Sequence, residues 1–273
     1  MHESLLIYRN MRYLKISLVL VLVTGLLYAF HSPVGSPNGG TWLGYTLGTL
    51  AAGIMVWLSW FGIRKRSFGG PAMRMEDWAS AHIYLGLALV VVSTFHSGFQ
   101  FGINIHTLLY FLMMFVVLSG VVGLYFYIRF PKMLAENRAG LTTDIMLTQI
   151  SELDRELSDF ALTVDDETAK AVYEAVHNTK IGGNLINQLT LYVADCPTMA
   201  ARMFVEQSDG VCDESTRRKL LTRLTKKEGL LSRIRKDVKL RCLLQLWLYI
   251  HVPFTFATLA ALVAHIVVVF YYW

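Results

Sequence analysis

The chain has 273 residues, of which 54% are hydrophobic and 16% charged, with a formal net charge of +5. So few charges in so long a chain exclude an ordinary soluble domain and an intrinsically disordered one. The pI near 9.1 reflects basic residues placed between apolar runs and gives no ground for nucleic-acid binding.

The first apolar run, Tyr13–Phe30, follows Arg9, Arg12 and Lys15. A basic start before an apolar run also describes a signal peptide, but Tyr28-Ala29-Phe30-His31 is too bulky for a cleavage site. The run is therefore expected to be a retained anchor. The second run, Trp42–Ile63, leads into Arg64, Lys65, Arg66 and Arg74. Trp78–Phe99 and His106–Ile128 follow, and Leu243–Tyr271 is the fifth. Each run meets the length of about 17–25 residues that a spanning helix needs, and the last is long enough to tilt or project.

Between the fourth and fifth runs lies an insert, residues 131–241, too large for a loop. It reads as helical: Leu141, Ile145, Ile150, Leu153, Leu157 and Phe160 recur at helical intervals. Asp165-Asp166-Glu167 is a plausible acidic start for a second helix, and Gly182-Gly183 and Asp195-Cys196-Pro197 read as breaks. From Glu214 onward Leu220, Leu221, Leu224, Leu231, Ile234 and Val238 mark a helix that could run straight into the last span. The insert is acidic from Asp144 to Glu167 and basic from Arg217 to Arg241. Two antiparallel helices with weakly paired solvated faces would explain this, and so would a docking surface for a soluble redox partner.

Charge placement orients the chain. Basic residues precede the first run, follow the second, and open and close the insert with Arg129, Lys132, Arg235, Lys236, Lys239 and Arg241. The loops His31–Thr41 and Gly98–Ile105 carry no charged side chain. Lys and Arg mark the cytoplasmic side. The expectation is an integral membrane protein of a bacterial inner membrane, with N-terminus and insert cytoplasmic and C-terminus outside. Three domains result: residues 1–130 with helices one to four, the insert, and residues 242–273 with helix five.

Chemistry is carried by histidine. His82 and His96 in the third run are 14 residues apart, as are His251 and His265 in the fifth. Fourteen residues is nearly four turns, so each pair shares a helix face about 21 Å apart along the axis. Alone, each could be a buried imidazole bonded to a neighbouring carbonyl. Two pairs with one spacing favour a shared role, since ionisable groups in spanning helices mark function. Helices three and five run in the same direction, so His82 can face His251 and His96 can face His265. Each couple can then supply both axial ligands of one haem, giving two haem b groups.

The remaining features are weaker. Thr255, Thr258 and Thr94 are candidates to bond the imidazoles' other nitrogens. Gly86, Ala88, Gly98, Ala257, Ala260, Ala261 and Ala264 would leave room for a macrocycle, although small residues also serve helix packing alone. Gly120 and Gly123 fit the packing role better. His106 and His31 could contact a haem propionate or a quinone, Arg64, Lys65, Arg66 and Arg74 could neutralise propionates, and His2 and His177 look solvated. Cys196, Cys212 and Cys242 form no CxxC or CxxCH, which argues against iron–sulfur clusters, covalent c-type haem and a disulfide framework.

The two helices, His82-Ile-Tyr-Leu-Gly to Phe95-His96 and His251-Val-Pro-Phe-Thr to Ala264-His265, resemble the transmembrane domain of the ferric reductase and NADPH oxidase family. That family carries paired histidines on its third and fifth helices, one pair at His-x13-His and the other the same or one residue shorter. The resemblance covers the spans, roughly 160 residues, and implies that His82, His96, His251 and His265 are haem b ligands. The family's sixth helix, its frequent flavin and nicotinamide domain and any GxGxxG fingerprint have no counterpart here. Its short loop between helices four and five is replaced by the long insert.

The expected fold is thus an all-α membrane protein, with five transmembrane helices in a haem-binding bundle and a helical cytoplasmic insert between helices four and five. The expected function is a di-haem b-type cytochrome subunit carrying electrons across the membrane, without a catalytic centre of its own. Its partners would be a c-type cytochrome, an iron–sulfur protein or a flavoprotein, with a quinone as an alternative terminal. Two other readings are a histidine-using membrane transporter or metal carrier, and a membrane adaptor acting through its insert.

Overall fold

A computed structural model of the chain describes residues 7–66, 74–190, 196–207 and 213–271, with the side chains of 63–66 outside the description. His2, Asp195, Cys212 and the side chains of Arg64, Lys65 and Arg66, which carried expectations above, lie outside the described residues. Every regular element described is a helix: α1 Tyr8–Ala29, α2 Trp42–Arg66, α3 Met75–Ser97, α4 Ile105–Arg138, α5 Thr143–Ala161, α6 Asp166–His177, α7 Leu185–Thr190, α8 Pro197–Gln207 and α9 Glu214–Tyr271. Among the described residues, five helical stretches are long and apolar enough to cross a membrane: α1, α2, α3, the stretch that begins with α4, and α9. The chain is therefore an all-α integral membrane protein.

Two helices exceed the runs read from sequence. α4 continues through Pro131 to Arg138, although proline gives no N–H to the Tyr127 carbonyl one turn back. α9 is one helix of 58 residues, joining the basic end of the insert to the last apolar run. It contains Pro253, which likewise leaves the Tyr249 carbonyl without its helical donor. The chain divides into two compact units, one of residues up to Gly123 together with those from Leu248, the other Leu124–Trp247.

In the first unit, α2 presents a buried stripe, Leu43, Leu47, Ala51, Met55 and Leu58, spaced by three or four residues as one helix face requires. It packs with Leu89 and Val92 of α3, Leu109 and Met113 of α4, and Ala261 and Leu262 of α9. α1 lies against α3, with Gly25 allowing the Phe95 ring to approach. Arg9, Asn10 and Met11 have φ of 46°, 54° and 58°, a left-handed turn at the start of α1. Such residues cost roughly 1–2 kcal/mol each. This end of α1 brings Tyr8, Arg9 and Tyr13 onto Asp77, which is 3% exposed in the first turn of α3. Arg9 Nη1 lies 3.3 Å from Asp77 Oδ1, and the two tyrosine hydroxyls donate to its carboxylate at 3.4 and 3.3 Å. α3 ends at Gly98, whose φ is 60° and where a Cβ would stand 2.1 Å from the Pro37 carbonyl. Gly98 is therefore needed for the helix stop and loop contact, which accounts for it without a macrocycle.

In the second unit, Met146, Ile150 and Leu153 of α5 pack on Leu230, Leu231 and Ile234 of α9. A second cluster joins Leu157, Val172, Ala175, Ala201, Val205, Leu220 and Leu224 from α5, α6, α8 and α9. Most of the periodic residues expected inside are buried, but Ile145 is 45% exposed and Met146 takes its place. The acidic start is found at α6, where the Thr168 N–H donates to the Asp165 cap at 2.9 Å. That hydrogen bond holds the Asp165 carboxyl below the usual range. The cap is thus complete above the ordinary carboxylate range and is lost as pH falls through the depressed value.

Charge pairing in this unit is deeper than solvated faces would give. Lys227, 1% exposed, reaches from α9 to donate to Asp154 of α5 and, at 2.6 Å, to the Ala175 carbonyl of α6. Asp237, also 1% exposed, accepts from Asn137 at 2.9 Å and from Arg138 at 2.5 Å. The Arg223–Glu156 pair, between the acidic and basic stretches, is of the half-exposed kind expected. Removing one member of a buried pair costs about 3–5 kcal/mol. Lys227→Ala is expected near the lower end, because Asp154 can turn towards water. Amide exchange of α5 and α6 in detergent should accelerate at least tenfold, whereas Lys226→Ala, at an exposed neighbour, should leave it unchanged.

Candidate functional site

The four paired histidines all lie in the first unit, on α3 and α9. Each imidazole must place one N–H in an apolar interior, where an unmet polar group is costly. Where that proton goes decides which nitrogen remains free as a ligand.

His96 is the clearest case. Its Nδ1 lies 2.7 Å from the Gly44 carbonyl of α2. A carbonyl can only accept, so Nδ1 carries the proton and Nε2 has a free lone pair. Gly48, one turn further along α2, leaves the space for the ring: a Cβ there would stand 2.6 Å from His96 Cε1. Gly39 lies on the same ring, its Cβ position 3.2 Å away. Gly44 and Gly48 were missed from sequence; a Gly-x-x-x-Gly spacing on the helix preceding a histidine helix is the signal that could have found them.

His251 is held from α4. Its Nδ1 is 2.7 Å from Ser119 Oγ, while that hydroxyl donates its own proton to the Val116 carbonyl at 2.8 Å. The serine oxygen then accepts from His251, again leaving Nε2 unprotonated. Gly120 sits beside the same ring, a Cβ there coming within 3.6 Å of His251 Cε1. Gly120 thus borders an imidazole and is not spent on helix packing alone. His82 has the Phe61 ring of α2 at 5.0 Å and the Leu58 backbone beside its buried ring. His82 and His251 are near enough to interact electrostatically.

The second end of the site holds three imidazoles. The His96 and His265 ring centres are 6.0 Å apart, with planes at 82°. His106, the second residue of α4, joins Nδ1 to Nδ1 of His265 at 2.5 Å. His31 is separate: its ring meets Trp42 edge-on at 5.4 Å, and its Nε2 is buried without a partner. Arg74 pairs with Glu76 at 3.7 Å, and His177 is stacked on Tyr173 at the surface of the other unit.

The threonines expected to orient the rings do not do so. Thr255 donates to the His251 carbonyl, Thr258 to the Phe254 carbonyl and Thr94 to the Val90 carbonyl, each at 2.8 Å. A threonine inside a helix satisfies its hydroxyl on the turn before it. The partners come instead from neighbouring helices, as the Gly44 carbonyl, Ser119 and His106.

This arrangement can be tested against a haem. A metal–imidazole nitrogen bond is about 2 Å and a ring centre lies roughly 1.2 Å behind its nitrogen, so two imidazoles on opposite sides of one iron have centres about 6.4 Å apart. The His96–His265 separation fits that, and both rings have Nδ1 engaged with another helix. Among the described residues no three His, Cys, Asp or Glu side chains are placed to hold a bare metal ion.

Comparison of the chain with protein-family models, curated proteins and solved structures finds no match in any of the three. The geometry is therefore the evidence on which a function must rest. Gly48→Ala should push the His96 ring off the Gly44 carbonyl and lower the occupancy of any chromophore it helps to hold. Gly53→Ala, where a Cβ meets nothing within 4 Å, should not. Visible absorbance per mole of purified protein distinguishes the two variants.

Proposed function

We propose that the chain is a di-haem b-type cytochrome subunit that carries electrons across a membrane. His82 and His251 would hold one haem, and His96 and His265 the other. The observation that carries this is the hydrogen bonding of the imidazoles. His96, His251 and His265 each engage Nδ1 with another helix, to Gly44, Ser119 and His106. That is the arrangement by which metal-bound histidines fix their tautomer and orientation. The 6.0 Å separation of His96 and His265 supports the same reading.

When bound, each haem supplies a one-electron couple. The chain's residues bind and orient it and keep water from it, and they set its potential by burial and ligation. Two imidazoles per iron leave no open coordination position, which suits electron transfer better than oxygen chemistry. On this reading the resemblance to ferric reductases and NADPH oxidases concerns the four-histidine arrangement. The charge pattern supports a bacterial inner-membrane protein with N-terminus and insert in the cytoplasm. A c-type cytochrome, an iron–sulfur protein or a flavoprotein would connect to the chain, with a quinone as the alternative terminal.

The purified protein should contain two non-covalent, low-spin haems per chain by pyridine haemochrome analysis. His82→Ala and His251→Ala should each remove one haem, and His96→Ala and His265→Ala the other, as resolved by low-temperature reduced spectra. A colourless wild-type protein would reject the function, and loss of the same haem from His82→Ala and His265→Ala would reject the pairing. A cysteine at Lys226 should be labelled only from the cytoplasmic side; labelling from outside would reverse the topology.

A further inference from the structure

We propose that His106 is a positioning residue for His265 and through it makes the two haems unequal. This rests on the haem reading above. Ligation and geometry together give the bond a direction. If His265 is to bind iron through Nε2, its one proton must reside on Nδ1. That Nδ1–H then donates across the 2.5 Å contact, and His106 Nδ1 accepts. The reverse direction would put the His265 proton on Nε2 and block the ligand atom. His106 therefore holds its own proton on Nε2 and serves as a base-like acceptor for the ligand ring.

The rings stand at 89° with centres 4.5 Å apart, so His106 meets His265 edge to edge through the nitrogens, not by stacking. His106 is fixed at the first turn of α4, between Ile105 and Thr107, whose N–H donates to Asn104 Oδ1 at 3.0 Å. The acceptors at the four ligands differ in kind. His265 has an imidazole nitrogen, His96 the Gly44 carbonyl, His251 a hydroxyl, and His82 the Leu58 backbone beside it. A stronger acceptor draws the Nδ1 proton further and makes the ligand nitrogen a better donor to iron. Better donation favours the ferric state. The pair His96 and His265 includes the imidazole acceptor, whereas the acceptors at His82 and His251 are the Leu58 backbone and a hydroxyl. The haem on the first pair is thus assigned the lower contribution from its ligands, with His106 the larger share of it.

Spectroelectrochemical titration of the purified full chain tests this, with the two haems resolved by their reduced alpha bands. His106→Leu removes the acceptor, and His106→Asn restores one of carbonyl strength. The expected result is two haems in each protein, with the midpoint of one haem raised in His106→Leu, raised less in His106→Asn, and the other haem unmoved. If His106→Leu instead loses one haem, the Asn variant still reports: a raised midpoint confined to that haem supports the assignment. Unchanged midpoints in both variants, or equal shifts of both haems, overturn it. A wild-type protein without haem fails at the preceding step and is distinguished from these outcomes by its haem content.

Discussion

An imidazole inside an apolar bundle has one N–H to place, and the rest of the site follows from where it goes. In this site the acceptors come from neighbouring helices. α2 supplies the Gly44 carbonyl in its first turn, through the second lone pair that a helical carbonyl keeps. α4 supplies Ser119 in its middle and His106 at its start. These choices engage Nδ1 of His96, His251 and His265 and so orient three of the four embedded imidazoles.

The same need for close approach explains the glycines. An α2 backbone can accept from His96 only if the next turn gives way, and Gly48 provides that space. Gly120 borders His251 on α4 less tightly, since a Cβ there would stand at ordinary contact distance from the ring. Imidazole orientation is therefore a property of α2 and α4, although the histidines themselves lie on α3 and α9. A substitution on either supporting helix can disturb a ligand without touching it, as is general where a second layer orients metal-binding side chains.

The unit from Leu124 to Trp247 follows another logic. Lys227 and Asp237 are taken out of water and must be paired, so they tie α9 to α5, α6 and the end of α4. The acidic and basic stretches of the sequence are partly spent on one another in this way. Charge that is buried within the unit is not free to steer a partner, and only what remains exposed, such as Lys226, can contribute to docking. The unit is a packed helical body with its own two clusters of apolar residues, which makes it a structural element in its own right.

By itself the sequence determined the helical class, the apolar stretches and the histidine spacing, because these depend on composition and on a period of 3.6 residues, both local. It also located the acidic start of α6 and the continuity of α9 into the last run. It did not reveal Asp77 as a buried junction for Tyr8, Arg9 and Tyr13, nor Lys227 as fully enclosed, because burial depends on which faces meet. It named Thr94, Thr255 and Thr258 as partners of the rings, since they lie near the histidines along the chain. The tertiary structure decided otherwise. The hydroxyls of these threonines are satisfied within their own helices, whereas Nδ1 of His96, His251 and His265 reaches across to another. Only the packing of α2 and α4 against α3 and α9 brings Gly44, Ser119 and His106 within hydrogen-bond distance, at separations of 52, 132 and 159 residues along the chain.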